Sequence, residues 1–224
     1  MSNDEEGRVR HSKAEAPNVI LSEQERAERE AANALVQAAR VIEMIEYWAA
    51  EHERPFRLRP STILELNRFA IDGLDAFAGN WRPGAITISG SKHQPPGAHL
   101  VPQLVEEMCD YINENWQSKR ATHLAAYVMW RMNWIHAFTD GNGRTARAVS
   151  YLVLSVRLKM KIPGEPTIPE LITTNREPYY AALEAADEGL VDGSINLEKM
   201  EALLEQLLAK QLLTVVSEAS GHRY

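Results

Sequence analysis

The sequence predicts an all-α protein, a helical bundle with one short β element. Along most of the chain apolar residues recur at steps of three and four, the periodicity of helices with one buried face. Only Ala85–Ser89 alternates with the period of two that is typical of a strand, and Gly84 and Gly90 bound it. At 224 residues and 45% hydrophobic, the chain can bury a full core. We therefore expect one elaborated domain.

The N-terminal half divides into a tail and three helices. Residues 1–20 are polar and are expected to form a mobile segment. A capping box at residues 22–25 predicts the start of a long helix, and Pro55 ends it. A second helix follows Pro60 and a third contains residues 101–116. The predicted buried stripe of the first helix consists of Leu35, Ala38, Ile42, Ile45 and Trp48.

The C-terminal half carries two helices around a glycine-rich loop, then two more. Apolar residues at helical spacing flank residues 136–147, so the loop joins two buried helices. Pro163-Gly164 closes that pair, and a short helix is expected from about Asn175 to Gly189. The core domain is predicted to span residues 21–190. Residues 191–224 form an amphipathic helix, with an apolar stripe that runs from Leu197 to Leu212, that packs on the core or, as the alternative, mediates a homodimer.

The loop itself reads His136-Ala137-Phe138-Thr139-Asp140-Gly141-Asn142-Gly143-Arg144-Thr145-Ala146-Arg147. A hairpin turn is the first alternative, but the helical flanks exclude it. A calcium-binding EF-hand is the second, and it fails because Arg144 and Tyr151 occupy ligand positions. What remains is a glycine-rich turn at a helix N-terminus, where backbone N–H groups and the helix dipole favour an anion.

The side chains of the loop fit phosphate chemistry. Arg144 and Arg147 lie three residues apart on one helix face and can bind phosphate oxygens. Asp140 offers the hard oxygen ligand that Mg²⁺ prefers beside phosphates. His136 titrates near neutral pH and can accept a proton from an attacking hydroxyl.

With these residues in place, the segment resembles the signature of Fic-domain proteins, His-x-Phe-x-(Asp or Glu)-Gly-Asn-Gly-Arg-x-x-Arg. All eight specified positions match, whereas Ala137 replaces the proline that most members carry. The resemblance implies a Fic-type helical bundle and transfer of AMP from ATP to a Ser, Thr or Tyr hydroxyl of a target protein. It implies that His136 is the base and that Asp140 holds Mg²⁺. Gly141, Asn142 and Gly143 would form the anion nest, Arg144 and Arg147 would bind the outer phosphates, and Phe138 would anchor the loop.

Two further segments are similar to Fic proteins. Residues 82–97, with Ile86-Thr87-Ile88 as the strand, look like the flap, a small β-hairpin over the active site whose edge can pair with an extended target chain. Tyr179, Tyr180 and Asp187 are candidates for the pocket that holds the nucleotide base.

Composition excludes several other classes of protein. The net charge of −7 argues against nucleic-acid binding. The sequence offers no span for a membrane and no signal peptide, so we expect a cytoplasmic protein. Cys109 is expected to be a reduced core residue.

Three functions compete at this stage. The first is a protein adenylyltransferase that uses ATP and Mg²⁺. The second is a Fic enzyme that transfers UMP, phosphocholine or phosphate, or that removes AMP. The third is a nucleotide-binding module without turnover, and intact His136 and Asp140 oppose it.

A regulatory element is also expected from the resemblance. Many Fic proteins carry an inhibitory motif, (Ser or Thr)-x-x-x-Glu-(Gly or Asn), and residues 2–7 fit it. Ser2 and Glu6 are thus the predicted inhibitory residues, with Glu6 directed at Arg147. An antitoxin-like partner protein is the alternative source of restraint.

Overall fold

The computed structural model describes residues 12–14, 19, 21–50, 55–191 and 194–220. Within these ranges the chain forms eight α-helices and two short strands, so the all-α prediction is confirmed. In chain order the elements are β1 (Ser12–Ala14), α1 (Glu23–Ala49), α2 (Pro60–Ile71), β2 (Ile86–Ile88), α3 (Val101–Glu114), α4 (Ala121–Ile135), α5 (Asn142–Arg157), α6 (Ile168–Thr174), α7 (Glu177–Val191) and α8 (Glu198–Ala219).

Helices α4 and α5 form the centre of the bundle and pack against each other over their lengths. Most residues of α4 are apolar and buried, because α3, α5, α7 and α8 surround it. Helices α1 and α2 cover the other side of α5. The loop between α4 and α5, residues 136–141, therefore emerges from the most rigid part of the molecule.

The buried face of α1 differs from the predicted stripe. Leu35 is 74% exposed, whereas Asn33 and Gln37 are buried. These two amides donate hydrogen bonds of 2.9 Å to the carbonyl oxygens of Asp72, just beyond α2, and of Leu66 within it. The Asp72 carbonyl has no partner within α2, and both amides find acceptors in or next to α2 although they are buried. The predictions that Leu35 and Ala38 are buried were wrong, because amides that bind α2 occupy this face.

Other helix predictions need smaller corrections. Helix α7 continues through Gly189 to Val191, and α6 was not predicted. On α8, Leu212 is exposed and Gln211 is buried instead. Cys109 is buried as expected, and burial raises the pKa of its thiol to about 12.

The two strands form a sheet that the sequence did not predict in this form. Strand β2 lies in the flap, residues 82–97, but its partner is the N-terminal strand β1 rather than a second strand of the flap. The pairing is antiparallel, with Ser12 opposite Ile88 and Ala14 opposite Ile86. Part of the N-terminal segment expected to be mobile is thus paired with the flap.

Candidate active site

One cavity of about 690 Å³ lies where the α4–α5 loop faces the flap and helices α1, α6 and α7. This volume is typical of sites that enclose a nucleotide-sized ligand. The cavity brings together eleven residues that the sequence analysis had singled out, namely Ile88, His136, Asp140, Gly141, Asn142, Gly143, Arg144, Arg147, Tyr179, Tyr180 and Asp187. Ile86 and Thr87 do not line it: Ile86 is buried under the flap and Thr87 faces solvent.

His136 ends α4 in a left-handed conformation with φ 52°. His136 is only 6% exposed, and this burial lowers the pKa of the imidazole to about 4. The expectation that His136 titrates near neutral pH was therefore wrong. The ring is therefore neutral at physiological pH. Its Nδ1 lies 3.3 Å from the carbonyl oxygen of Asn133, and a carbonyl can only accept. Nδ1 must carry the hydrogen, which leaves Nε2 as the basic nitrogen.

The side chain of Asn142 holds the loop in shape. Its Oδ1 accepts from the backbone N–H of Phe138 at 2.9 Å, and its Nδ2 donates to the Phe138 carbonyl at 2.7 Å. Phe138 is buried against Trp81, so its predicted inward packing is confirmed. The residue expected to serve the anion nest also fixes the position of the loop that contains His136.

Gly141 allows α5 to begin where it does. Its φ is 75°, which disfavours any residue with a Cβ. A Cβ there would also lie 2.7 Å from Cγ2 of Ile71 on α2. Residues 142–144 form the first turn of α5, whose N–H groups have no acceptor within the helix. The helix N-terminus therefore presents partial positive charge to the cavity.

Four charged side chains form a network at one side of the cavity. The Asp140 carboxylate pairs with Arg144 at 3.1 Å and with Arg26 of α1 at 3.4 Å. Arg26 in turn pairs with Glu30 at 3.3 Å, and Glu30 lies 4.0 Å from Arg144. All four are partly exposed, so each pair contributes little stability. The network can therefore rearrange when an anion enters.

Arg147 differs from Arg144 in its surroundings. It makes no ion pair with any residue in the described ranges, and desolvation is the main reason that its pKa is lowered. Arg176 lies near enough to lower it further. Arg147 and Arg176 both line the cavity, so positive charge that has no carboxylate partner in the described part of the chain accumulates beside the first turn of α5.

The predicted base pocket contains both tyrosines. Tyr179 is buried, and the amide of Asn133 donates a 2.8 Å hydrogen bond to its hydroxyl. Tyr180 is half-buried. Asp187 also lines the cavity and accepts a 2.8 Å hydrogen bond from the indole N–H of Trp130. These three side chains form the end of the cavity made by α7.

Arg82 connects the flap to the catalytic loop. It is 2% exposed, and its Nε donates a 2.8 Å hydrogen bond to the carbonyl of His136. Its other nitrogens donate to the carbonyls of Gly84 and Pro96, one at each end of the flap. His93 adds a second anchor, since its Nε2 lies 2.7 Å from the carbonyl of Trp134 on α4.

Sequence reasoning missed several residues that shape the site. Arg26 and Glu30 reach the cavity from a solvated helix face, and no local pattern indicates this. Asn67 could have been found, because it is a polar residue on the buried stripe of α2. Its amide donates to the Asp140 carbonyl at 3.1 Å and accepts from the Gly79 N–H at 3.1 Å.

The cavity fits a magnesium ion only together with a substrate. Among the described residues there is no group of three or more His, Cys, Asp or Glu side chains that could hold a metal. Asp140 supplies one carboxylate beside the arginines, and Mg²⁺ is commonly held by one or two carboxylates plus phosphate oxygens.

Ser2 and Glu6 lie outside the described residues, so their inhibitory role stays a prediction. No helix in the described ranges is long and apolar enough to cross a membrane.

Comparison with known proteins gives one family. Residues 57–154, which include the whole α4–α5 loop, match the model of the Fic/DOC family. The protein named "Protein adenylyltransferase Fic" of Drosophila willistoni is 32% identical over 129 residues, which is 57% of this chain and 24% of the relative. The chain thus spans about a quarter of the length of the curated relatives that it matches.

Solved structures share the fold. Fic-1 from C. elegans superimposes with a TM-score of 0.68 at 20% identity, covering 90% of this chain and 55% of the other. A Fic domain containing signaling protein from Bacteroides thetaiotaomicron gives a TM-score of 0.64 at 23% identity, covering 85% and 73%. The resemblance seen in the signature is confirmed, since residues 57–154 match the Fic/DOC family model and the fold is shared with Fic proteins.

Proposed function

We propose that this chain is a protein adenylyltransferase that transfers AMP from ATP to a Ser, Thr or Tyr hydroxyl of a target protein. The observation that carries the proposal is the meeting, in one cavity, of a buried neutral imidazole with a helix N-terminus and two arginines. The name of the Drosophila relatives supports the same activity.

The phosphates of ATP would lie against the first turn of α5. Gly141 and Gly143 leave the backbone open to close approach, and the helix dipole favours negative charge there. Arg147, which has no carboxylate partner in the described part of the chain, would bind the outer phosphates. Arg144 would exchange its contact with Asp140 for a phosphate oxygen.

His136 would act as the general base. The target hydroxyl gives its proton to Nε2 while its oxygen forms a bond to the α-phosphorus. The bond between that phosphorus and the bridging oxygen breaks, and pyrophosphate leaves. Because the imidazole is neutral at physiological pH, no prior deprotonation is needed. A weak base of this kind is sufficient when the reaction depends mainly on positioning and charge stabilisation.

Asp140 would hold Mg²⁺ together with the phosphates, and the ion when bound would neutralise charge on them. In the structure the Asp140 carboxylate pairs with Arg26 and Arg144. The nucleotide would draw Arg144 away from the Asp140 carboxylate, and the metal ion would neutralise that carboxylate and the phosphates. Nucleotide and metal ion would therefore bind together. Tyr179 and Tyr180 would line the base pocket.

A donor scan tests the proposal. Purified protein is incubated with Mg²⁺ and a cell lysate, using ATP labelled in the α-phosphate, ATP labelled in the γ-phosphate, labelled UTP or labelled CDP-choline. The proposal predicts label on protein only from α-labelled ATP, and loss of that label with a chelator. Transfer from γ-labelled ATP would indicate phosphorylation, and transfer from UTP or CDP-choline would indicate another donor. Loss of pre-formed label on addition of protein would indicate AMP removal.

A further inference from the structure

The edge of the flap strand is occupied by the chain itself. Strand β2 pairs with β1 in antiparallel register, so that Ser12, Lys13 and Ala14 lie opposite Ile88, Thr87 and Ile86. The resemblance to the Fic flap implies that this edge pairs with an extended segment of the target. We propose that in this chain the N-terminal strand β1 holds that edge in cis until a target segment displaces it. The inference rests on the proposed function for its target, but the occupancy of the edge is independent of it.

The position of the edge supports a role in docking. Ile88 lines the cavity that contains His136, and Ser91 and His93 of the same flap line it as well. The register position opposite Ile88 is therefore next to the cavity. A segment that runs antiparallel to β2 would pass this entrance, and the residue that replaces Ser12 would be the one nearest to the cavity.

The surface does not depend on β1 for its shape. Arg82 binds the carbonyls of Gly84 and Pro96 at the two ends of the flap, and His93 contacts the Trp134 carbonyl. Ile86 is buried beneath the strand. The flap is thus anchored to α4 and the catalytic loop, and removal of β1 would leave its edge intact.

The pairing of β1 with β2 is weak enough for another extended segment to replace β1. A two-stranded sheet of three residues per strand is marginal by itself. The segment Ser12-Lys13-Ala14 contains no large apolar residue, so its pairing relies on main-chain hydrogen bonds that many sequences could replace. Only eight residues of sequence separate β1 from α1, and a short connection gives an effective concentration in the millimolar range. A target must therefore compete with a weak but permanently present strand.

The test uses full-length protein with the substitutions Ser12→Pro and Lys13→Pro. In an antiparallel strand the backbone N–H groups of alternate residues point at the partner strand. Two adjacent prolines therefore remove a donor to β2, whichever of residues 12 and 13 provides it. The matched control is Ser12→Ala with Lys13→Ala, which keeps both backbone N–H groups. The probe is a synthetic peptide with the sequence of residues 9–16, added in millimolar amounts while the backbone NMR signals of the flap are followed.

The proline variant should bind the peptide at the flap at least tenfold more tightly than the wild-type protein or the alanine control. Adding Thr87→Pro to the proline variant should weaken this binding, because it disrupts the edge. Equal binding by all proteins, or no shift of flap signals in any of them, would overturn the inference. These readouts need no enzymatic activity. If the peptide binds as expected while no protein is labelled from ATP, the proposed function has failed and the docking surface stands.

Discussion

Arg82 Nε donates a hydrogen bond of 2.8 Å to the carbonyl oxygen of His136, so a buried guanidinium holds the residue proposed as the base. The backbone N–H of Arg82 also donates to the Ala137 carbonyl at 2.9 Å. Most Fic signatures have proline where this chain has Ala137. In most Fic signatures the proline ring restricts the backbone conformation at this position. Here the hydrogen bond from Arg82 restricts the backbone at Ala137 instead.

Replacing Arg82 with Lys should lower the rate of AMP transfer more than the affinity for ATP. Lysine keeps the charge but cannot reach the carbonyls of His136, Gly84 and Pro96 together. Hydrogen bonds to a charged group are worth roughly 1.5–3 kcal/mol each, so the loop and flap should both loosen. Steady-state kinetics and ATP calorimetry separate the two effects. Equal losses in rate and affinity would show that Arg82 supports the fold without positioning His136.

The depressed pKa of His136 predicts a loss of stability in mild acid. In the unfolded chain a histidine becomes protonated near pH 6.5, whereas in the folded protein His136 stays neutral down to about pH 4. Between these values the unfolded state binds more protons, so the free energy of unfolding falls as the pH is lowered. The full effect is on the order of 3 kcal/mol, at about 1.4 kcal/mol for each pKa unit.

Denaturant unfolding at about pH 7 and about pH 5 measures that effect, with His136→Gln as the control. Glutamine does not titrate, so the variant should lose less stability than the wild-type protein on acidification. The same loss in both proteins would assign the pH dependence to other groups.

Arg147 should discriminate between nucleotides. Arg147→Ala should weaken ATP binding by tenfold or more and AMP binding much less, because the side chain is assigned to the outer phosphates. Arg144→Ala, which also removes a contact to Asp140, serves as the comparison. Calorimetry with both nucleotides decides the assignment. An equal loss for AMP and ATP would place Arg147 near the α-phosphate instead.

Gln211 should matter for stability alone. It is fully buried, donates to the Tyr151 hydroxyl and to the Ile162 and Gly164 carbonyls, and accepts from the Ile168 N–H. Gln211→Leu would leave these groups unpaired and should cost about 1–3 kcal/mol of unfolding free energy. The exposed neighbour Leu213 provides the control, since Leu213→Ala should change little. ATP affinity should be unaltered in both, and a thermal melt that is unchanged in Gln211→Leu would contradict this account.

The signature loop could be predicted from the sequence because its chemistry is local. Glycine at 141, the arginine spacing and the helical flanks all lie within one continuous segment, residues 121–157, and the cavity brings the loop residues together. Its support could not be predicted in the same way. Asn67 reaches the loop from 73 positions away, and the role of Arg82 emerges only when the flap folds back on α4.

Two mispredictions have a common physical cause. The stripe on α1 and the end of the stripe on α8 were both assigned by apolar periodicity, yet buried amides occupy those faces. Gln37 and Gln211 are buried because their amides bind carbonyl oxygens of distant segments, those of Leu66 and Ile162. The spacing of apolar residues cannot predict which polar side chains are buried to bind backbone carbonyls of distant segments. The pairing of β1 with β2 was missed because a three-residue polar segment has no strand pattern.

The most direct test of the account compares two histidine variants in the same transfer assay. His136→Ala removes the proposed base, whereas His123→Ala removes a histidine that pairs with Glu201 away from the cavity. With α-labelled ATP and Mg²⁺, the account predicts that His136→Ala loses transfer by at least a hundredfold, within the range of general base catalysis, while its ATP affinity stays close to that of the wild-type protein. His123→Ala should keep most of its transfer activity. Full transfer by His136→Ala would contradict the assignment of His136 as the base.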